Sequence, residues 1–127
     1  MNQKILKEKD IYTVAHANWN QYENVNWHAF SFTVRKYITA YEVESTIDHI
    51  LNMCNTENGF MPHLLDFAYR IGVIVTFSCV ELPVDYEERH FVLYNTDLFD
   101  TICKHINADQ LNEIKYGVER CICLFTS

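Results

Sequence analysis

Five cysteines and six histidines are the residues whose chemistry matters first, because thiolates and imidazoles ligate metals and act as nucleophiles or bases. Cys121 and Cys123 stand closest together. On a helix, residues two apart point roughly 200° away from each other, so the two thiols cannot hold one metal ion. A structural zinc site also needs a second closely spaced pair. Cys54, Cys79 and Cys103 each stand alone, and four of the five thiols fall on apolar stripes or runs, where a free cysteine serves as a small hydrophobe. His16, His28, His49, His63, His90 and His105 form neither an HExxH nor an HxH spacing. His49 and Cys54 lie five apart and Cys103 and His105 two apart, so neither pair shares a helix face.

Carboxylates are the next candidates. Glu81, Asp85, Glu87 and Glu88 gather around Pro83. Catalytic carboxylates need an enclosed pocket that drives their pKa values apart, and nothing in the neighbouring sequence suggests one. Helix capping and solvation account for this group; an acidic patch for a basic partner surface is the sharper reading. With three glycines in the chain there is no phosphate-cradling loop, no GxSxG elbow and no nucleophile beside a base. The expectation is therefore no catalytic residue, no metal site and no cofactor.

Recognition by surface is the remaining option, and Asn18–Trp27 carries its strongest signal. Trp19, Tyr22 and Trp27 stand on an asparagine-rich background. Such rings combine a large contact area with hydrogen-bonding tips, as interface anchors do; the alternative is that they fold back over a sheet. Charge narrows the partner. Residues 1–40 hold five basic and three acidic side chains, and residues 41–127 hold five basic and fourteen acidic ones. An acidic body repels phosphate backbones, so direct nucleic-acid binding is disfavoured, whereas a basic protein surface would be attracted. No apolar leader opens the sequence, and the longest apolar run, Val73–Val80, is too short to span a bilayer. The odd cysteine number and missing leader favour reduced thiols and an intracellular setting.

The elements that must carry these residues change character near residue 39. Ile11–Ala17 and His28–Ile38 are read as strands, the second on the alternation of Phe30, Phe32 and Val34 with Ser31, Thr33 and Arg35. Together they would make a two-stranded ribbon with residues 18–27 as a long connection. Thr39-Ala-Tyr-Glu42 has the capping-box spacing and opens a helix with Val43, Ile47, Ile50, Leu51 and Cys54 on one stripe. Asn55–Gly59 ends it. Pro62 suits the first turn of the next helix. The 62–80 segment, the most apolar of the chain, is read as one continuous central helix, with Gly72 and the β-branched run after it as the competing strand signal. Asp85 caps a helix to about Tyr94, residues 95–97 cap a short one, and Asn107 or Asp109 starts the last. Its stripe is Leu111, Ile114, Val118, Cys121, Ile122 and Phe125. The expected fold is α+β and mainly helical: one domain, with an N-terminal two-stranded β-ribbon packed on a bundle of four to five helices.

Pro62, Leu65-Asp-Phe-Ala-Tyr-Arg70, Leu82-Pro83 before the acidic stretch, Tyr94-Asn-Thr-Asp97 and Ile106-Asn-Ala-Asp-Gln110 resemble segments of small, mostly uncharacterised proteins encoded in phages and prophages of gut bacteria. The resemblance covers about residues 62–124. It implies a phage setting in the host cytoplasm and, through it, either a virion or assembly component or an inhibitor of a host defence nuclease, anti-CRISPR-like in imitating nucleic acid. It brings no active site with it.

Overall fold

The computed structural model describes residues 5–19 and 21–126, the side chains of Phe125 and Thr126 excepted. Asn20 of the asparagine-rich segment therefore lies outside the described residues, and so does the side chain of Phe125 in the last stripe. The chain runs α1 (Glu8–Trp19), β1 (Tyr22–Trp27), β2 (Phe30–Arg35), α2 (Ala40–Cys54), β3 (Asn55–Thr56), β4 (Gly59–Phe60), a 3₁₀ turn (Pro62–Leu64), α3 (Leu65–Phe77), α4 (Tyr86–Tyr94), α5 (Leu98–Cys103) and α6 (Ala108–Thr126). A mainly helical α+β fold with an N-terminal hairpin is what the sequence predicts.

The make-up of the hairpin differs from expectation. Ile11–Ala17 is not a strand but part of α1, in which Ile11, Val14, Ala15 and Trp19 fall at i, +3, +4 and +8 along one helix face. The asparagine-rich segment is not one long connection: Asn18 and Trp19 end α1, and Tyr22–Trp27 is β1, paired antiparallel with β2 from Tyr22↔Arg35 to Trp27↔Phe30. That register leaves His28 and Ala29 as a two-residue loop. His28 takes a φ of 56°, a left-handed value that glycine usually supplies in such a loop.

Two strands alone are marginal, and this pair leans on the body through named contacts. Val25 and Val34 enter the core. Ser78 bridges Val34, and Cys79 N–H donates to Thr33 C=O at 3.3 Å, so the segment after α3 touches the edge of β2 through an isolated antiparallel bridge. At the far end Asn107 N–H donates to Lys36 C=O, and the Gln110 amide both accepts from Ile38 N–H at 2.8 Å and donates to Ile38 C=O at 2.7 Å.

The helical body follows its caps. Thr39 Oγ1 accepts from Glu42 N–H while the Glu42 carboxylate accepts from Thr39 N–H, the expected capping box. Asp85 Oδ2 accepts from Glu88 N–H at the start of α4, and Asn107 Oδ1 from Gln110 N–H at the start of α6. Pro62 opens a 3₁₀ turn rather than an α-turn, and α3 then passes through Gly72 without a break, as the helix reading requires. It stops at Phe77, short of residue 80, because Ser78 turns extended to meet β2. The helix is central but not buried all round. Ala68, Ile71, Gly72, Val73, Ile74 and Phe77 face the core, whereas Val75 is exposed.

Packing is tightest where glycines admit a neighbour. Ile50 of α2 lies where a Cβ on Gly72 would stand 2.8 Å from its Cγ1, and Ile47 crosses Gly117 of α6 in the same manner. One apolar cluster joins the hairpin to α2, α3, α4, α5 and α6, with Ile38, Ile50, Ile74, Leu93, Ile102 and Ile114 fully enclosed.

Candidate interaction surfaces

No residue of α1 is buried. Its exposed face is nevertheless apolar: Ile11 is 54%, Tyr12 63% and Val14 60% accessible. Ile11 N–H closes the first turn on Lys7 C=O, and Asp10 reaches back to Lys7 N–H at 3.2 Å, so the helix has its own N-terminal fastening. The Tyr12, His16 and Trp19 rings then run down one side in successive contact. At its other end, the Trp19 carbonyl accepts from Arg35 Nη2 at 3.2 Å.

Arg35 is shared. Its guanidinium forks onto Glu42, Nη1 to Oε2 at 2.6 Å and Nη2 to Oε1 at 3.0 Å, while its Nε is buried with no partner among the described residues. The fork, reinforced by Thr39, holds the Glu42 carboxyl below its ordinary range, and Glu42 in turn raises the guanidinium. One side chain thus fastens the end of α1 to the cap of α2.

The three rings singled out in the sequence have different fates. Trp19 is half-buried at the end of α1 against His16. Tyr22 is exposed, with the Arg35 cation 6.0 Å from its ring centre. Trp27 packs against the core and commits its indole N–H to Asp97 at 2.7 Å, which lowers that carboxyl. Beside it, His105 Nδ1 meets Glu23 Oε2 at 2.6 Å. Trp27 and Glu23 therefore bind the hairpin to the α5 region, and the accessible rings on the hairpin are Tyr22 and Phe30.

The carboxylates Glu81, Asp85, Glu87 and Glu88 are all exposed, and none enters an ion pair among the described residues. Sequence reasoning missed the apolar groups among them. Val84 is 92%, Tyr86 57% and Phe91 58% accessible. Tyr86, His90 and Tyr94, at i, +4 and +8 of α4, form a ladder of rings with His90 and Tyr94 4.7 Å apart, backed by Phe67 of α3. Arg70 lies 4.3 Å from the Tyr94 ring centre and donates to Leu93 C=O, while Asp66 accepts from both Arg70 Nε and Tyr94 Oη. Burial, with the hydrogen bond to Asp66, pushes the Tyr94 phenol up to about 12. The i, +4, +8 spacing of rings was the available signal, hidden because α4 also carries Glu87, Glu88 and Arg89.

No three His, Cys, Asp or Glu side chains among the described residues come together as metal ligands. Cys54 alone is fully buried; Cys103 and Cys121 are half-buried, and Cys79 and Cys123 are exposed, so the reading of cysteines as core residues fits some positions only. Burial pushes the Cys103 thiol up to about 11 and raises Cys54, whereas Cys79 accepts from Thr33 N–H and Oγ1, which lowers it. Between α2 and α3 runs an open groove of about 350 Å³ lined by Glu42, Ser45, Thr46, His49, Val75 and Thr76. Its Glu42 is held by Arg35, and the Thr46 and Thr76 hydroxyls bond to each other at 3.0 Å. No helix among the described residues is long and apolar enough to cross a membrane. No protein-family model, curated protein or solved structure matches the chain.

Proposed function

We propose that the chain is a non-enzymatic protein–protein interaction module, phage-encoded, that works in the host cytoplasm as a virion or assembly component. It joins a partner protein or further copies of itself through its N-terminal arm, α1 with the adjoining end of the hairpin. The observation that carries this reading is α1: a fully formed twelve-residue helix that buries none of its residues and presents Ile11, Tyr12 and Val14 to solvent. A short isolated helix is marginal in water, and an uncovered apolar stripe is what a partner surface covers. The phage setting follows from the resemblance of residues 62–124.

The test is mass spectrometry of purified particles from cells carrying the intact chain or the Ile11→Asp/Val14→Asp variant. The intact chain should be found in particles at fixed stoichiometry and the variant should be depleted at least tenfold. An intact chain absent from particles, with no protein bound in an arm-dependent way, refutes the reading.

A second reading, an acidic inhibitor that occupies the nucleic-acid channel of a host defence nuclease, is favoured by the unpaired carboxylates Glu81, Asp85, Glu87 and Glu88. Reversing their charge should abolish inhibition of such a nuclease while the fold persists; unchanged inhibition excludes it.

A further inference from the structure

We infer that the outer edge of β1 pairs with the same edge of a second copy, antiparallel about Asn24, so that two hairpins become one four-stranded sheet. The inference adds a self-contact to the interaction-module reading, on a surface that α1 does not form.

The backbone shows which groups are free. Between antiparallel strands, directly opposed residues alternate between those that exchange hydrogen bonds and those that do not. The two-residue loop at His28 and Ala29 makes its closing pair, Trp27 and Phe30, a bonded one. Glu23 and Val25 therefore also turn their N–H and C=O groups to β2, while Tyr22, Asn24 and Asn26 turn theirs away from it. The partner strand obeys the same parity. Thr33, opposite Asn24, turns outward, where its C=O accepts from Cys79 N–H and its N–H donates to Cys79 Sγ at 3.4 Å. The outer edge of β2 is thus occupied at its middle. The outer edge of β1 is not: no hydrogen bond among the described residues reaches the outward backbone groups of Tyr22, Asn24 or Asn26.

An extended strand is what matches such a row, and the devices by which proteins blunt an exposed edge are missing. β1 has no proline, no lysine and no bulge in its register. Glu23 does point inward, but His105 holds it at 2.6 Å within the copy.

A second copy is the occupant because this edge complements itself. With Asn24 on a two-fold axis, Asn24 faces Asn24 of the other copy, and Tyr22 faces Asn26 of the other copy on either side. Each opposed pair then exchanges two hydrogen bonds, and every outward N–H and C=O of the three residues is satisfied. The side chains agree. Tyr22, Asn24 and Asn26 are exposed and uncharged. An asparagine amide both donates and accepts, so it pairs with its own copy as a lysine or glutamate would not. On the inner side Glu23 falls opposite Val25 rather than a second carboxylate. The chain carries a net charge of −7, so copies repel over most of their surface; along this edge they meet without opposing charges. A contact of one patch with itself closes as a dimer.

The experiment is sedimentation equilibrium of the full-length protein, with circular dichroism to show that each variant is folded. The intact chain should reach twice the 15.0 kDa of one chain as concentration rises. Asn24→Pro removes an outward N–H and keeps the ladder to β2, as an edge strand allows, and should remain monomeric. Asn24→Lys and Asn24→Glu each set like charges against each other across the axis, so each alone should remain monomeric. Their equimolar mixture should dimerise, since lysine then meets glutamate. Ile11→Asp/Val14→Asp should dimerise as the intact chain does. An intact chain that is monomeric at several hundred micromolar overturns the inference, and the particle experiment then decides the arm reading by itself. A dimer that survives Asn24→Pro, or that is lost only in the arm variant, puts self-association on another surface and overturns it as well. A mixture of the two charged variants that stays monomeric refutes the pairing about Asn24.

Discussion

Replacing Gly72 by alanine should destabilise the protein, although alanine is the better helix former by about 1 kcal/mol. Gly72 sits inside α3, where a Cβ would stand 2.8 Å from Ile50 Cγ1 and 3.2 Å from its Cδ1. Ile50 is fully enclosed and cannot swing aside. Forcing a methyl into a filled core costs about 1–3 kcal/mol, so the net loss should be about 1 kcal/mol. In an Ile50→Ala background both obstructing carbons are gone, and the next neighbour, Thr46 Cγ2 at 3.7 Å, is in ordinary contact. There the same change should stabilise by about 1 kcal/mol, on top of the roughly 2–5 kcal/mol that Ile50→Ala itself costs. Urea unfolding of the four proteins gives a coupling of about 2 kcal/mol with a change of sign. Gly72→Ala as stable as the parent in both backgrounds would refute the packing argument.

Glu42→Gln should cost about 1–2 kcal/mol at neutral pH, toward the lower part of the charge-assisted range because the fork is partly open to solvent. Since the folded protein holds this carboxyl below its ordinary range, the stability it contributes is present above that range and lost as pH falls through the lowered value; urea titrations in acid should show the two proteins converge, and a constant gap would contradict the fork. Thiol labelling of the native protein should modify exposed Cys79 first and leave Cys54 and Cys103 until unfolding, their thiols being enclosed and raised; equal rates for all five would show that the core around α2 and α5 opens freely.

What could be read from the chain divides by the range of the interaction responsible. The capping box at Thr39–Glu42, the Asp85 cap and the α2 and α6 stripes involve residues a few positions apart, so their signals are complete within a short window. β1 was hidden because its inward face is Glu23, Val25 and Trp27. Only Val25 looks like a core residue, and the partners that make Glu23 and Trp27 belong there, His105 and Asp97, are 82 and 70 residues away. The loop at His28 added to the difficulty, since the left-handed position holds no glycine. Over α1, Ile11, Thr13 and Ala15 alternate as a strand would, and Ile11, Val14, Ala15 and Trp19 keep the helical period as well. Both periods fit so short a stretch, and no tertiary burial arbitrates. In α3 packing against Ile50 decides for helix over the strand preference of its β-branched run. The acidic corner was legible as charge, and its aromatic ladder was not, because the rings alternate with the acids that drew attention.

The detachment of α1 from the core also sets how this chain can change over generations. A substitution at Val34, Ile50 or Ile114 must satisfy every neighbour it touches inside the protein, so these positions drift slowly under the demands of folding. A substitution at Ile11 or Val14 meets no such burial. The arm is therefore free to be rewritten at the pace of whatever it binds, while Arg35 and the hairpin keep presenting it from the same corner of an unaltered body.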